Sequence, residues 1–111
     1  NDLASRLNKR VTLQEETLTP DGAGGYSLAW QDVATVWAEI RPLQANRTDE
    51  PFTSLQQEAH GYARITIRYR EGVTPAMRAV FGTRLFNIIN VINPDESNTQ
   101  LELLVAEGVA L

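Results

Sequence analysis

The stretch "ARITIRYR", residues 63–70, decides the fold. Ile65, Ile67 and Tyr69 fall on one side of it, and Arg64, Thr66, Arg68 and Arg70 on the other. A period of two marks a β-strand with one inward and one solvated face. Immediately before it, residues 44–61 form a polar segment with neither a strand nor a helix period. Loops longer than about 12–15 residues are uncommon in compact domains unless they are functional or disordered.

Further back, "SLAWQDVATVWAEIRPL", residues 27–43, is rich in β-branched and aromatic residues. Ala34, Val36, Ala38 and Ile40 line one side, and Val33, Thr35 and Trp37 the other, so the strand is expected to be bent or covered on both faces. Pro42 either ends it or marks a sheet edge. "RVTLQEETLT", residues 10–19, alternates as well, with Val11 and Leu13 opposite Thr12, Gln14 and Glu16. The intervening "PDGAGGY" is a turn, in which glycines supply positive φ. Toward the C-terminus, "RAVFG" and "TRLFNIINVIN" read as a short and a longer strand. "PDESNT" is a turn, and "QLELLVAEGVAL" a last strand with Leu101, Leu103 and Val105 on one side. About six strands at this spacing suit a small barrel or sandwich. Residues 2–8, "DLASRLN", make a short helical turn or arm, with Asp2 as cap and Leu3 and Leu7 on one face.

The 111 residues suggest a single domain with no internal repeat. A hydrophobic content of 42% against 22% charged residues argues against wholesale disorder. There is no cysteine, which excludes disulfides, thiolate metal sites and cysteine nucleophiles. The N-terminus has no apolar signal core, and no apolar run approaches membrane-spanning length, so neither a visible secretion signal nor a membrane span is expected. Fourteen acidic residues against ten basic ones give a net charge of −4, which disfavours general attraction to a phosphate backbone.

Chemistry-bearing patterns are scarce. His60 is the only histidine and has no evident triad or zinc partners. The pairs Asp49–Glu50 and Asp95–Glu96 lack the alternating acidic loop of a calcium site. Glu15 and Glu16 are strand neighbours and so point to opposite faces. The glycines at 22–25 precede a strand rather than a helix, which excludes a phosphate loop. No catalytic residue, cofactor or metal site is expected. The outward arginines Arg64, Arg68 and Arg70, with Arg78 and Arg84 downstream, form the one basic concentration. Three explanations stay open: cross-strand neutralisation, single-stranded nucleic-acid binding, or contact with acidic residues of a neighbouring subunit. Tyr69 alternates inward and offers no exposed stacking platform.

The run "RITIRYREGVTPAMRAVFGTRLFNIINVINPDE", residues 64–96, resembles the head-tail joining family (head-closure, or stopper) of tailed bacteriophages and phage-like particles such as gene transfer agents. "RVTLQEET" at 10–17 and "WQDVATVWAEIRPL" at 30–43 fit in order and spacing, so the resemblance spans about Lys9 to Glu107. One departure stands out. Where such proteins usually carry a Gly-x-Glu-like element after Pro-Leu, this chain has "QANRTDE".

The resemblance implies an all-β fold, a small antiparallel β-barrel of about six strands, with a long polar loop at 44–61 and an N-terminal arm at 1–8. It implies a non-enzymatic subunit of a homo-oligomeric ring, in six or twelve copies, in the virion neck. The portal or adaptor protein would lie on the head side and tail proteins on the other. Packaged double-stranded DNA would pass without sequence-specific binding and be retained until ejection. Assembly would take place in the bacterial cytoplasm, without a membrane. A tail-completion or terminator role in the same particles is a neighbouring possibility. From a different class, a small barrel that binds single-stranded nucleic acid or a peptide is the alternative. For subunit or lumen contacts the loop offers Arg47, Asp49, Glu50, Phe52, Leu55 and Gln56. Phe52 and Leu55 either fold back on the barrel or anchor between subunits. The loop is expected to stay mobile in the free subunit and to order in the ring. Leu3, Arg6 and Leu7 are candidates for contact with an adjacent ring, and Arg64, Arg68 and Arg70 for an electrostatic interface.

Overall fold

A computed structural model describes residues 2–43 and 61–108. The chain runs through a helical turn α1 (Asp2–Arg6) and strands β1 (Lys9–Pro20), β2 (Tyr26–Leu43), β3 (Gly61–Arg68), β4 (Arg78–Phe81), β5 (Arg84–Ile92) and β6 (Gln100–Gly108). All six strands pair antiparallel and close into a barrel in the order β1-β2-β3-β6-β5-β4. The expected all-β barrel is therefore what forms.

The barrel closes because alternate residues of its strands are apolar and point to one axis. Val11 and Leu13 from β1, Ile65 and Ile67 from β3, Phe86 from β5, and Leu103 and Val105 from β6 are fully buried together. Each such aliphatic or aromatic side chain contributes about 1.5–3 kcal/mol on burial. The interior is thus packed side chain to side chain, and a single subunit has no bore.

β2 reconciles its two apolar faces by bending. Leu13 pairs with Ala34 but Gln14 pairs with Asp32, so Val33 is an extra residue bulged out of the ladder. On the barrel side of the bulge Val36, Ala38 and Ile40 turn inward, while Trp37 stays exposed on the outer face. Pro42 does not end the strand; it pairs with Ala63 at an edge, because β1 reaches no further than Ala38.

One strand face differs from its expected character. Thr66 alternates outward on β3 yet is buried. The reason lies in its surroundings: Arg6, Glu39, Arg41, Arg64 and Glu102 enclose a hollow with it on the outer surface. Arg6 of α1 donates to Glu39 at 3.3 Å, and Arg41 donates to the other oxygen of that carboxylate at 3.2 Å. The N-terminal arm is therefore docked on its own barrel, with Leu7 buried.

Candidate interaction surfaces

Among the described residues, the most exposed large apolar side chains lie where β1 and β2 leave the barrel. β1 pairs with β4 only through Thr12–Gln14, and β2 pairs with β3 only from Ala38 onward. Between these limits Glu15–Pro20 and Tyr26–Gln31 pair with each other alone. The result is a two-stranded ribbon projecting from the barrel. Register places Glu16 opposite Trp30, Leu18 opposite Leu28, and Pro20 opposite Tyr26. These six share one face, and Leu18, Tyr26 and Leu28 are 65%, 68% and 64% exposed. The other face carries Thr17, Thr19 and Ser27, with the Thr19 and Ser27 hydroxyls 3.2 Å apart across the strands.

Both ends of the ribbon are fixed by polar contacts. At the tip, the Asp21 carboxylate accepts hydrogen bonds from the amides of Ala23 (2.8 Å) and Gly25 (3.1 Å). These bonds favour the charged form and hold its pKa below the usual aspartate value. Gly22 and Gly24 adopt φ of 83° and 88°, which the other residues seldom tolerate. The glycine run is a turn, as its sequence suggested. At the root, Arg78 of β4 donates to Gln14 at 2.7 Å, Gln14 donates to Asp32 at 2.7 Å, and the Arg78 guanidinium lies 4.2 Å from the Trp30 ring centre.

A second surface lies at the opposite end of the β1–β2 pair. Trp37, 51% exposed, has the Arg10 guanidinium 4.9 Å from its ring centre. Ala4, Leu7, Asn8 and Arg68 line a hollow with it on one side, and Val36, Arg68, Tyr69 and Arg70 line another. Arg10, Arg68 and Arg70 have no carboxylate partner among the described residues.

The sequence-expected site residues are distributed unevenly. Arg47, Asp49, Glu50, Phe52, Leu55, Gln56 and His60 lie outside the described residues. Two groups that looked separate in sequence come together: Leu7 with Arg68 beside Trp37, and Arg6 with Arg64 over Thr66. The basic concentration instead disperses. Arg64 joins a mixed-charge cluster, and Arg78 braces the ribbon. Arg84 makes a two-pronged pair with Glu107 at 2.9 and 3.0 Å, which raises the arginine pKa further. Glu15 and Glu16 do point apart, opposite Gln31 and Trp30. Among the described residues no cluster of three or more His, Cys, Asp or Glu could hold a metal ion. No helix among them is long and apolar enough to cross a membrane.

The ribbon and Trp37 escaped sequence reasoning, although β1 carries a signal. Its inward positions change from Val11 and Leu13 to Glu15, Thr17 and Thr19, while the outward ones become Leu18 and Pro20. A strand whose core positions turn polar has left the core.

A family model described as phage head completion protein matches residues 3–108. No curated protein matches the chain. The solution structure of protein SF1141 from Shigella flexneri 2a is similar at 33% identity and a TM-score of 0.71, over 96% of each chain. A chain in the virion of a native gene transfer agent particle is similar at 26% identity and a TM-score of 0.64, over 96% of this chain and 98% of that one.

Proposed function

Because the chain belongs to the phage head completion protein family, we propose that it is a head-closure (stopper) subunit that forms a ring in the virion neck. In this proposal the ring sits between the portal or adaptor and the tail, docks the tail and helps retain packaged DNA. The family match over nearly the whole chain is the observation that carries it. The similar chain within a gene transfer agent virion supports a place in the particle alongside other head and tail proteins.

The physical features agree with a structural, non-enzymatic part. A packed six-stranded interior leaves no passage through the barrel, which supports a reading in which the DNA path lies between copies arranged around an axis. A subunit of net charge −4 suits a channel wall that does not grip a sliding duplex. A barrel with an arginine-framed face and an acidic ribbon offers the unlike surfaces that a closed ring requires.

The test is genetic and visual. Particles produced without this chain should accumulate as tailless heads that have lost their DNA, and supplying the chain should restore them. Intact, tailed, DNA-filled particles in its absence would overturn the proposal. A second reading, single-stranded nucleic-acid binding, draws on Trp37 lying beside Arg10 and Arg68. A salt-dependent shift of single-stranded DNA by the purified chain would favour it. The head-closure reading expects none.

A further inference from the structure

We propose that the ribbon of one copy seats on the Trp37 surface of a second copy of this chain. The contact rests on the head-closure reading for its setting, and on charge and shape for its partner. From Val11 to Ile40 there is no lysine or arginine, while Glu15, Glu16, Asp21 and Asp32 lie on or at the root of the ribbon. The ribbon thus presents Leu18, Tyr26 and Leu28 on strands that carry only acidic charges, with Arg78 of β4 reaching only its root at Trp30. The Trp37 surface is its counterpart: an exposed indole with the apolar Ala4, Leu7 and Val36 around it. Arg10, Arg68 and Arg70 frame that surface without a carboxylate partner among the described residues; Glu71 follows Arg70 in sequence, and Glu39, two residues on from Trp37, is already held by Arg6 and Arg41.

The two surfaces cannot meet within one molecule. Arg10 and Leu18 lie on the same continuous strand. Eight residues of extended chain separate them by about 26 Å. Neither surface can therefore cover the other within one copy, and because the two differ, their contact between copies is head-to-tail. Such a contact closes into a ring when its rotation permits and otherwise grows as a filament. Acidic and basic framing sets the register and disfavours ribbon-to-ribbon pairing, where like charges would face each other.

The chain has no cysteine, so an introduced one is unique. Pro20→Cys on the ribbon and Asn8→Cys beside Trp37 are made in chains carrying tags of different size, mixed, and treated with a short bismaleimide. The mixed 20–8 product should predominate over both same-site products and over a Thr83→Cys control on the β4–β5 turn. Glu15→Lys with Glu16→Lys should cut the mixed product at least about tenfold, as should Arg10→Glu with Arg68→Glu. Mixing the two reversed chains should restore it. Each variant is first checked for unchanged thermal unfolding.

Crosslinking no greater than at Thr83 would overturn the contact. So would a predominant 20–20 product, which would indicate ribbon-to-ribbon pairing, or a ribbon that crosslinks only to another virion protein. A Leu28→Glu chain that still completes heads would overturn this contact and leave head closure standing. Heads completed without the chain would instead remove the head-closure reading.

Discussion

Strand β1 passes through two environments. Around Val11 and Leu13 it has β2 on one side and β4 on the other, and both side chains are wholly buried. From Glu15 to Pro20 it has β2 alone, and Leu18 is among the most exposed large apolar side chains of the described residues. The backbone geometry is the same in both halves. What differs is the number of neighbours, and with it the origin of stability. The barrel half is held by burial, which a third strand completes. The ribbon half is a two-stranded hairpin of a kind that is marginal in water on its own, so it relies on its turn and on its root. Apolar residues that do not stabilise the fold on such an element point to another use, and docking is the use proposed above.

The comparison is tested most severely in the core. Phe86→Ala removes the largest fully buried side chain and should cost about 3–5 kcal/mol, read as a lower midpoint in urea unfolding. For a small domain this is a large share of total stability, and partial unfolding at 37 °C is expected. A loss below about 1 kcal/mol would mean that the barrel is not packed as described.

The root comes next. Arg78→Ala removes a hydrogen bond to Gln14 and the guanidinium over Trp30. The expected loss is about 1–2 kcal/mol, since a charged hydrogen bond and a partly exposed cation–π contact each contribute on the order of 1 kcal/mol. Hydrogen exchange should localise the effect. Amides of 15–19 and 27–31 should exchange faster, while those of β3 and β6 should hold. Uniform acceleration across the barrel would show that ribbon and barrel are a single cooperative unit.

These two regions were unequally legible in the sequence. Barrel strands announce themselves because burial of one face imposes a strict period of two: Ile65 and Ile67, then Leu101, Leu103 and Val105, are inward by alternation and buried in the structure. Tyr26, Leu28 and Trp30 show the same period, yet they lie outside the core. Alternation reports that one face is apolar and does not report what covers it. The bulge at Val33 hides the difference further, because it shifts β2 by one residue between ribbon and barrel. Even-numbered residues are inward at Val36 and Ala38 but outward at Leu28 and Trp30, and no local composition marks the switch. Thr66 was missed for a related reason. Its burial comes from Arg6 and Glu39, residues far away in sequence.

Leu28→Ser should reverse the pattern of Phe86→Ala. An exposed side chain changes stability by no more than about 0.5 kcal/mol, so the unfolding midpoint should stay in place. Self-association measured by sedimentation should fall sharply, because the residue lies at the centre of the apolar face. A stability loss near that of a core residue would mean that the ribbon folds back on its own barrel, which would erase the contrast between the two regions.

The smallest effect concerns Asp21, which is fully exposed and shapes only the ribbon tip. Its carboxylate holds the Ala23 and Gly25 amides, and the folded form therefore has a lowered pKa. A depressed folded-state pKa gives a contribution that is present above the unfolded-state pKa and is lost as pH falls through the folded one. Near neutrality the turn is thus fully supported, and it should loosen only in acid below the ordinary aspartate range. The Ala23 and Gly25 amide resonances should shift together in that window, with barrel resonances such as those of Ile65 and Leu103 unmoved. Asp21→Asn should abolish the titration and leave the barrel's unfolding unchanged, because the side chain acts beyond the last residue that the barrel contacts. If acid moved ribbon and barrel resonances in concert, the tip would be coupled to the core after all. A titration confined to 21–25 would show instead that the ribbon is a separately fastened arm, whose shape is set by its own turn.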